Sequence, residues 1–212
     1  MITVDQARSY YPADDPAHDF DHVLRVAALA SRLAALEGAD AEIVRTAALL
    51  HDIGRAEERA TGRDHAVESA RRARQILAGQ PAERVEAVVQ AIAVHRYRNT
   101  VTPVTLEAKV LYDADKLDSI GAIGVARAYA IAGVCGQRLW ARVEPGYADR
   151  KRQQTEHHDL TAEHTPVHEF AFKLSRVAST LFTPGARRIA EERHAFMLEF
   201  FRRLEQEVSG QA

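Results

Sequence analysis

Apolar residues recur at three- and four-residue intervals along most of the chain, and no run alternates apolar with polar positions over the length of a strand. The spacing predicts a short helix over residues 4–10, ending before Pro12. A second helix is expected from about Asp19 to Gly38, with Val23, Val26, Ala27, Ala30, Leu33 and Ala34 on its buried face. A third covers 40–53 with Ile43, Ala47, Leu49 and Leu50 inward, and Gly54 reads as its left-handed stop. The fourth starts at the capping candidate Asp64 and runs through Ala73 and Leu77 to Gly79. Pro81 opens a fifth, carrying Val85, Val88, Val89, Ile92 and Val94 and fraying near Asn99. A sixth covers 106–117, and a seventh runs from Ser119 to about Val134, where Gly121 and Gly124 suggest close helix packing.

From Gly146 to Thr165 the chain turns polar and reads as an exposed excursion or lid. Helix is expected again over 167–181. Thr183-Pro184 then reads as an N-cap followed by a first-turn proline, starting a last helix to about Val208. The apolar stripe of that helix is read as Ile189, Phe196, Phe200 and Leu204. The expected fold class is all-α: a single-domain helical bundle over 1–212, with a chemistry-bearing core at about 18–134 and C-terminal helices at about 167–208.

Composition narrows the class of function. With 212 residues and 46% apolar content, the chain can bury one large core without a staple. One cysteine, Cys135, excludes an internal disulfide and a cysteine-rich zinc site, and it points to a reducing, cytoplasmic setting. No basic segment followed by an apolar run opens the sequence, and no stretch has the length of a membrane helix, so neither a signal peptide nor a membrane partner is expected. A net charge of −2 carries no strong nucleic-acid signal. The anomaly is ten histidines, several of them beside carboxylates in the first 120 residues.

The focal segment is Leu49-Leu50-His51-Asp52-Ile53-Gly54. An imidazole and a carboxylate that follow two leucines into a core need partners or a metal. His22 on the preceding helix and Asp115 in Asp113-Ala114-Asp115-Lys116-Leu117-Asp118 complete a set of two imidazoles and two carboxylates. That mixed set suits a divalent ion: Mn²⁺ first, with Fe²⁺, Co²⁺, Ni²⁺, Mg²⁺ and Zn²⁺ as alternatives.

The order His22, His51-Asp52, Ala114-Asp115-Lys116-Leu117 resembles the HD-domain superfamily of metal-dependent phosphohydrolases. The stretches His18-Asp19-x-x-His22-x-x-Arg25, Leu50 to Arg55, Asp64-His65-Ala66-x-Glu68-Ser69-Ala70 and Thr183-Pro184-Gly185-Ala186-Arg187 are similar to a subgroup of small bacterial HD hydrolases. The likeness spans nearly the whole chain apart from 146–165. It implies an all-α HD-type bundle and cleavage of a small phosphorylated substrate, a nucleoside triphosphate, to monophosphate and pyrophosphate. A 5'-nucleotidase or phosphodiesterase on the same site is the nearest alternative. A di-iron oxygenase using His22, His51, Asp52, His65, His95 and Asp115, and a non-catalytic ligand-binding module, are the others. Self-association stays open.

Further roles are assigned as expectations. His65 and His95 are read as ligands of a second metal or as phosphate-binding groups, with Arg25 and Arg55 also offered to phosphate. Asp118, on the face of Asp115, is read as a carboxylate that positions water or a ligand, and Lys116 as a charge-neutralising catalytic group. His18 is given a supporting place beside a ligand. His157, His158 and His164 are expected to be solvated loop residues, and His168 a satisfied helix histidine.

Overall fold

The computed structural model describes residues 1–11, 20–96, 101–153 and 163–211, the side chains of 152 and 153 excepted. The protein is all-α, with no strand among the described residues. The helices are α1 (Val4–Arg8), α2 (Phe20–Glu37), α3 (Ala41–Leu50), α4 (Arg55–Thr61), α5 (His65–Ile76), α6 (Ala82–Ala93), α7 (Leu106–Asp118), α8 (Gly121–Val134), α9 (Tyr147–Gln153), α10 (Pro166–Phe172) and α11 (Pro184–Val208), with a 3₁₀ segment at Leu174–Thr180. They fall into two compact units: Met1–Asp118 with Leu181–Ala186, and Ser119–Thr180 with Arg187–Ala212. No single described helix is long and apolar enough to cross a membrane.

In the first unit α3 is the central element and packs against α2, α6 and α7. Its capping residue Asp40 accepts from the amides of Glu42 and Ile43, satisfying two orphan donors of the first turn. Ala47, Ala48, Leu49 and Leu50 are fully buried, and each leucine contributes about 1.5–3 kcal/mol through burial. The predicted inward positions of α2 are also buried, and α5 starts at the expected cap, Asp64, which accepts from Ala66 N.

The third helix ends three residues earlier than the pattern predicts, and the doublet His51-Asp52 lies in the turn that follows it. Gly54 is not a left-handed stop, since its φ is −88° and it forms the N-cap of α4. A Cβ at Gly54 would lie 2.7 Å from the His65 carbonyl oxygen and 2.8 Å from Ser69 N, so the glycine lets the start of α4 press onto α5. The Gly54 amide donates to Ser69 Oγ, and Arg72 reaches the Ile53 carbonyl and Glu57 from α5. Helix α4 itself buries no residue, so no apolar stripe marks it in the sequence.

On α7, Asp113 is fully buried and binds the chain where it returns at 181–186. It accepts from Phe182 N, Thr183 N and Thr183 Oγ1 at 2.7–2.9 Å. Thr183 is in turn the expected cap of α11, accepting from Ala186 N.

The second unit departs from the pattern in three places. The helix expected over 167–181 divides at Lys173 into α10 and the 3₁₀ segment. On α11 the buried positions of this unit are Ala190, Met197 and Phe201, not Phe196, which is 47% exposed. Phe201 stacks on Phe170 at 4.4 Å between ring centroids, and this contact sets which face of the helix turns inward. The polar stretch begins as α9 and ends at a buried histidine: His164 is 7% exposed, with Nδ1 hydrogen-bonded to the Tyr147 hydroxyl at 2.9 Å. Its expected solvation therefore fails, because the tyrosine and Glu169 satisfy it inside. His168 is satisfied through Thr165 Oγ1 as expected. His18, His157 and His158 lie outside the described residues.

Replacing Asp113 with Ala would leave the buried Thr183 amide and the half-buried Phe182 amide without this acceptor. The expected cost is roughly 2–5 kcal/mol in chemical denaturation. A loss below about 1 kcal/mol would show that the return segment is held by other contacts.

Candidate metal centre

Five elements of the first unit deliver side chains to one point. His22 lies in the first turn of α2, His51 and Asp52 in the turn after α3, His65 at the start of α5, His95 just beyond α6, and Asp115 on α7. His22, His51, Asp52, His65 and His95 are buried, and the Asp115 side chain is 12% exposed. Asp52 has two differently surrounded oxygens. Its Oδ2 lies 3.6 Å from His51 Nε2 and 3.9 Å from His22 Nε2, while Asp115 Oδ1 lies 3.5 Å from His22 Nε2 and 3.9 Å from His51 Nε2. Its Oδ1 lies 3.5 Å from both His65 Nε2 and His95 Nε2. Donor atoms of His22, His51 and Asp115, and of His51, Asp52 and His95, each gather closely enough to share one ion.

The other ring nitrogen of each histidine faces an oxygen. His51 Nδ1 and His95 Nδ1 donate to the carbonyls of Ala48 and Ile92, three residues upstream, at 2.7 and 2.6 Å. His22 Nδ1 donates to Asp118 Oδ2 at 2.8 Å, and His65 Nδ1 faces Glu58 Oε2 at 2.9 Å. A carbonyl or an ionised carboxylate only accepts, so Nδ1 of His22, His51 and His95 carries a proton and Nε2 faces the cluster. His51 Nε2, His95 Nε2, both ring nitrogens of His65 and both oxygens of Asp52 have no hydrogen-bond partner. Buried polar atoms of this kind require one. A divalent ion about 2.1 Å from each donor sets neighbouring donors roughly 3–4 Å apart, which the observed separations match. The residues present therefore fit a metal.

The electrostatics agree. Burial pushes His51 and His65 down to about 4, so both rings are neutral at pH 7. Burial also opposes the charge on Asp52 and Asp115. The attraction of His51 and Arg55 for Asp52, and of Lys116 and His51 for Asp115, outweighs it and holds both carboxyls below the usual range.

Cations ring the mouth of the cluster. Arg55 Nε stands 3.0 Å from Asp52 Oδ1, off the hydrogen-bond axis, and Lys116 Nζ contacts Asp115 Oδ2 at 2.5 Å. Arg25 donates through Nε and Nη2 to Asp118. Both Asp118 oxygens are thus engaged, one by His22 and both by Arg25, which is the arrangement expected of a carboxylate that positions a ligand. Glu58 and Arg96 escaped the sequence reading. Glu58 takes His65 and Arg55 on Oε2 and Arg96 on Oε1, and Arg96 also reaches Asp64 at 2.6 Å. Glu58 lies on the helix without an apolar stripe, and no motif marked it.

Comparison with known proteins bears on this geometry. The HD domain family model matches residues 19–120. YpgQ of Bacillus subtilis is 34% identical over 201 residues, 93% of this chain and 87% of that protein. The structure of YpgQ in complex with ADP gives a TM-score of 0.70 at 33% identity, covering 99% of this chain and all of that one. A predicted HD superfamily hydrolase from an uncultured Thermotogales bacterium gives 0.65 at 32% identity, covering 96% and 88%.

The neutral histidines fix the pH response of the metal-free protein. Their pKa values are about 4 in the fold against 6.5 in the open chain. As pH falls through 6.5 towards 4, the unfolded chain takes up protons that the native state refuses. Stability falls by up to about 1.4 kcal/mol per pH unit for each ring. Asp52 and Asp115, held low, lose their contribution only below the ordinary carboxylate range. The Tm of chelator-treated protein should therefore drop between pH 7 and 5, and a flat Tm would contradict the buried neutral rings.

Proposed function

Because the chain belongs to the HD-domain superfamily, we propose that it is a divalent-metal-dependent phosphohydrolase that cleaves nucleoside triphosphates to a monophosphate and pyrophosphate. The observation that carries the reading is the set of Nε2 atoms converging on the Asp52 carboxylate, neither of whose oxygens has a hydrogen-bond partner. His22, His51, Asp52 and Asp115 would hold the first ion, with Mn²⁺ preferred. The other oxygen of Asp52 with His65 and His95 offers a second place. A bound divalent ion supplies Lewis acidity at a phosphoryl oxygen and acidifies a coordinated water.

The chain's own groups do the rest. Asp52, Asp115, Asp118, Glu58 and Asp64 face Arg25, Arg55, Arg96 and Lys116 through direct contacts, which leaves one net negative charge when the histidines are neutral. One divalent ion turns that balance positive and two make it strongly so, which suits a polyanionic phosphate chain. Lys116, Arg55 and Arg25 keep part of their side chains exposed at the mouth, where they offset charge that builds on a substrate phosphate. Burial of the cluster removes competing water and strengthens these interactions. The ADP bound by the relative YpgQ supports a nucleotide as the substrate.

The two-sided environment of Asp52 favours one second reading, oxygen activation on two irons, with the same six side chains as ligands.

Product analysis separates these readings. Mn²⁺-loaded protein is expected to release monophosphate and pyrophosphate from at least one ribo- or deoxyribonucleoside triphosphate. Asp52→Ala is expected to lose metal and to lower turnover by more than the roughly 10–100-fold that loss of an outer partner costs. Inorganic phosphate from monophosphates would move the assignment to a nucleotidase. Oxygen uptake by iron-loaded protein without nucleotide turnover would move it to the di-iron class.

A further inference from the structure

Two of the four histidines are fixed by backbone carbonyls of their own turn, His22 is hydrogen-bonded to the distant carboxylate of Asp118, and His65 Nδ1 lies 2.9 Å from that of Glu58; arginines also hold both carboxylates. Asp118 backs His22 and carries Arg25, while Glu58 backs His65 and carries Arg55 and Arg96. The cluster thus has one carbonyl-backed and one carboxylate-backed imidazole on each side of Asp52.

From this arrangement we propose that Glu58 is a positioning residue that orients His65 for a second divalent ion and anchors Arg55 and Arg96 beside it. The inference rests on the reading of the cluster as a metal centre. Glu58 reaches that place because Gly54 lets α4 start against α5. One turn into α4, its carboxylate meets the Nδ1 edge of the ring that opens α5. Its neighbour Glu57 faces the other way and holds Arg72, so the two adjacent carboxylates have separate tasks. A carboxylate on Nδ1–H raises the basicity of Nε2 and blocks the tautomer in which Nε2 would be protonated and useless as a ligand. His65 lacks the carbonyl partner that serves His51 and His95, and its Nδ1 instead faces the Glu58 carboxylate, with Oε2 2.9 Å away.

The test is a Mn²⁺ titration of chelator-treated full-length protein, with free Mn²⁺ read by electron paramagnetic resonance. Wild type is expected to bind two ions. Glu58→Gln keeps the shape but not the charge and should raise the Kd of one ion about 10–100-fold, leaving the other unchanged. Glu58→Ala should do the same or more, with circular dichroism and Tm confirming the fold. Glu57→Gln, which loosens the same helix, should bind as wild type does. Two unchanged ions in both Glu58 variants, while His65→Ala loses one, would overturn the role of Glu58 and leave the second ion standing. A single ion in wild type that His65→Ala does not disturb would overturn the second ion, and this inference with it. Equal weakening in Glu57→Gln and Glu58→Gln would show a merely structural contribution and overturn it too.

Discussion

Asp52 is 2% exposed and neither of its oxygens is hydrogen-bonded, yet surrounding positive charge keeps it ionised. An anion in that position is costly unless a cation is brought to it. Four imidazole Nε2 atoms face the same carboxylate, and burial keeps His51 and His65 neutral at pH 7, so those two rings bring no charge to meet the demand. A divalent ion answers all of these groups at once. The first unit is arranged around that requirement: α3 delivers the doublet at its end, and α2, α5, α6 and α7 each supply one donor.

The carboxylates of α7 show how one helix serves both stability and chemistry. Residues advance about 100° each around a helix, so Asp113 and Asp115 point to opposite sides. Asp113 turns inward to the returning chain at Phe182 and Thr183, and Asp115 turns to the histidines. Asp118 lies one turn beyond Asp115 on a shared face and reaches His22. Three similar side chains thus fasten the fold, offer a ligand and hold a ligand in place. The cost of burying Asp113 is met by three hydrogen bonds, whereas the cost of burying Asp52 is left for a bound group.

What the sequence revealed follows from what a pattern can carry. The inward positions of α2 and α3 repeat at helical spacing, and caps such as Asp40, Asp64 and Thr183 act locally, so all were legible. The residues of the centre were legible because histidine and aspartate beside leucine are chemically out of place. Helix α4 has no buried residue and left no signal, so Gly54 was mistaken for a stop and Glu58 was passed over. Phe196 fitted the apolar stripe by spacing, but the stack of Phe170 on Phe201 turns a different face inward. His164 looked solvated because its partners, Tyr147 and Glu169, come from separate helices. Spacing put Asp118 on the face of Asp115 without choosing between a water and a ligand as its partner, because His22 and Arg25, which it holds, come from another helix.

The most direct test of the centre is anomalous diffraction from crystals grown with Mn²⁺. The account predicts a strong anomalous peak within bonding distance of His22, His51, Asp52 and Asp115, and a second beside His65 and His95 at the opposite oxygen of Asp52. A fully loaded crystal whose peaks all lie away from Asp52 would contradict it.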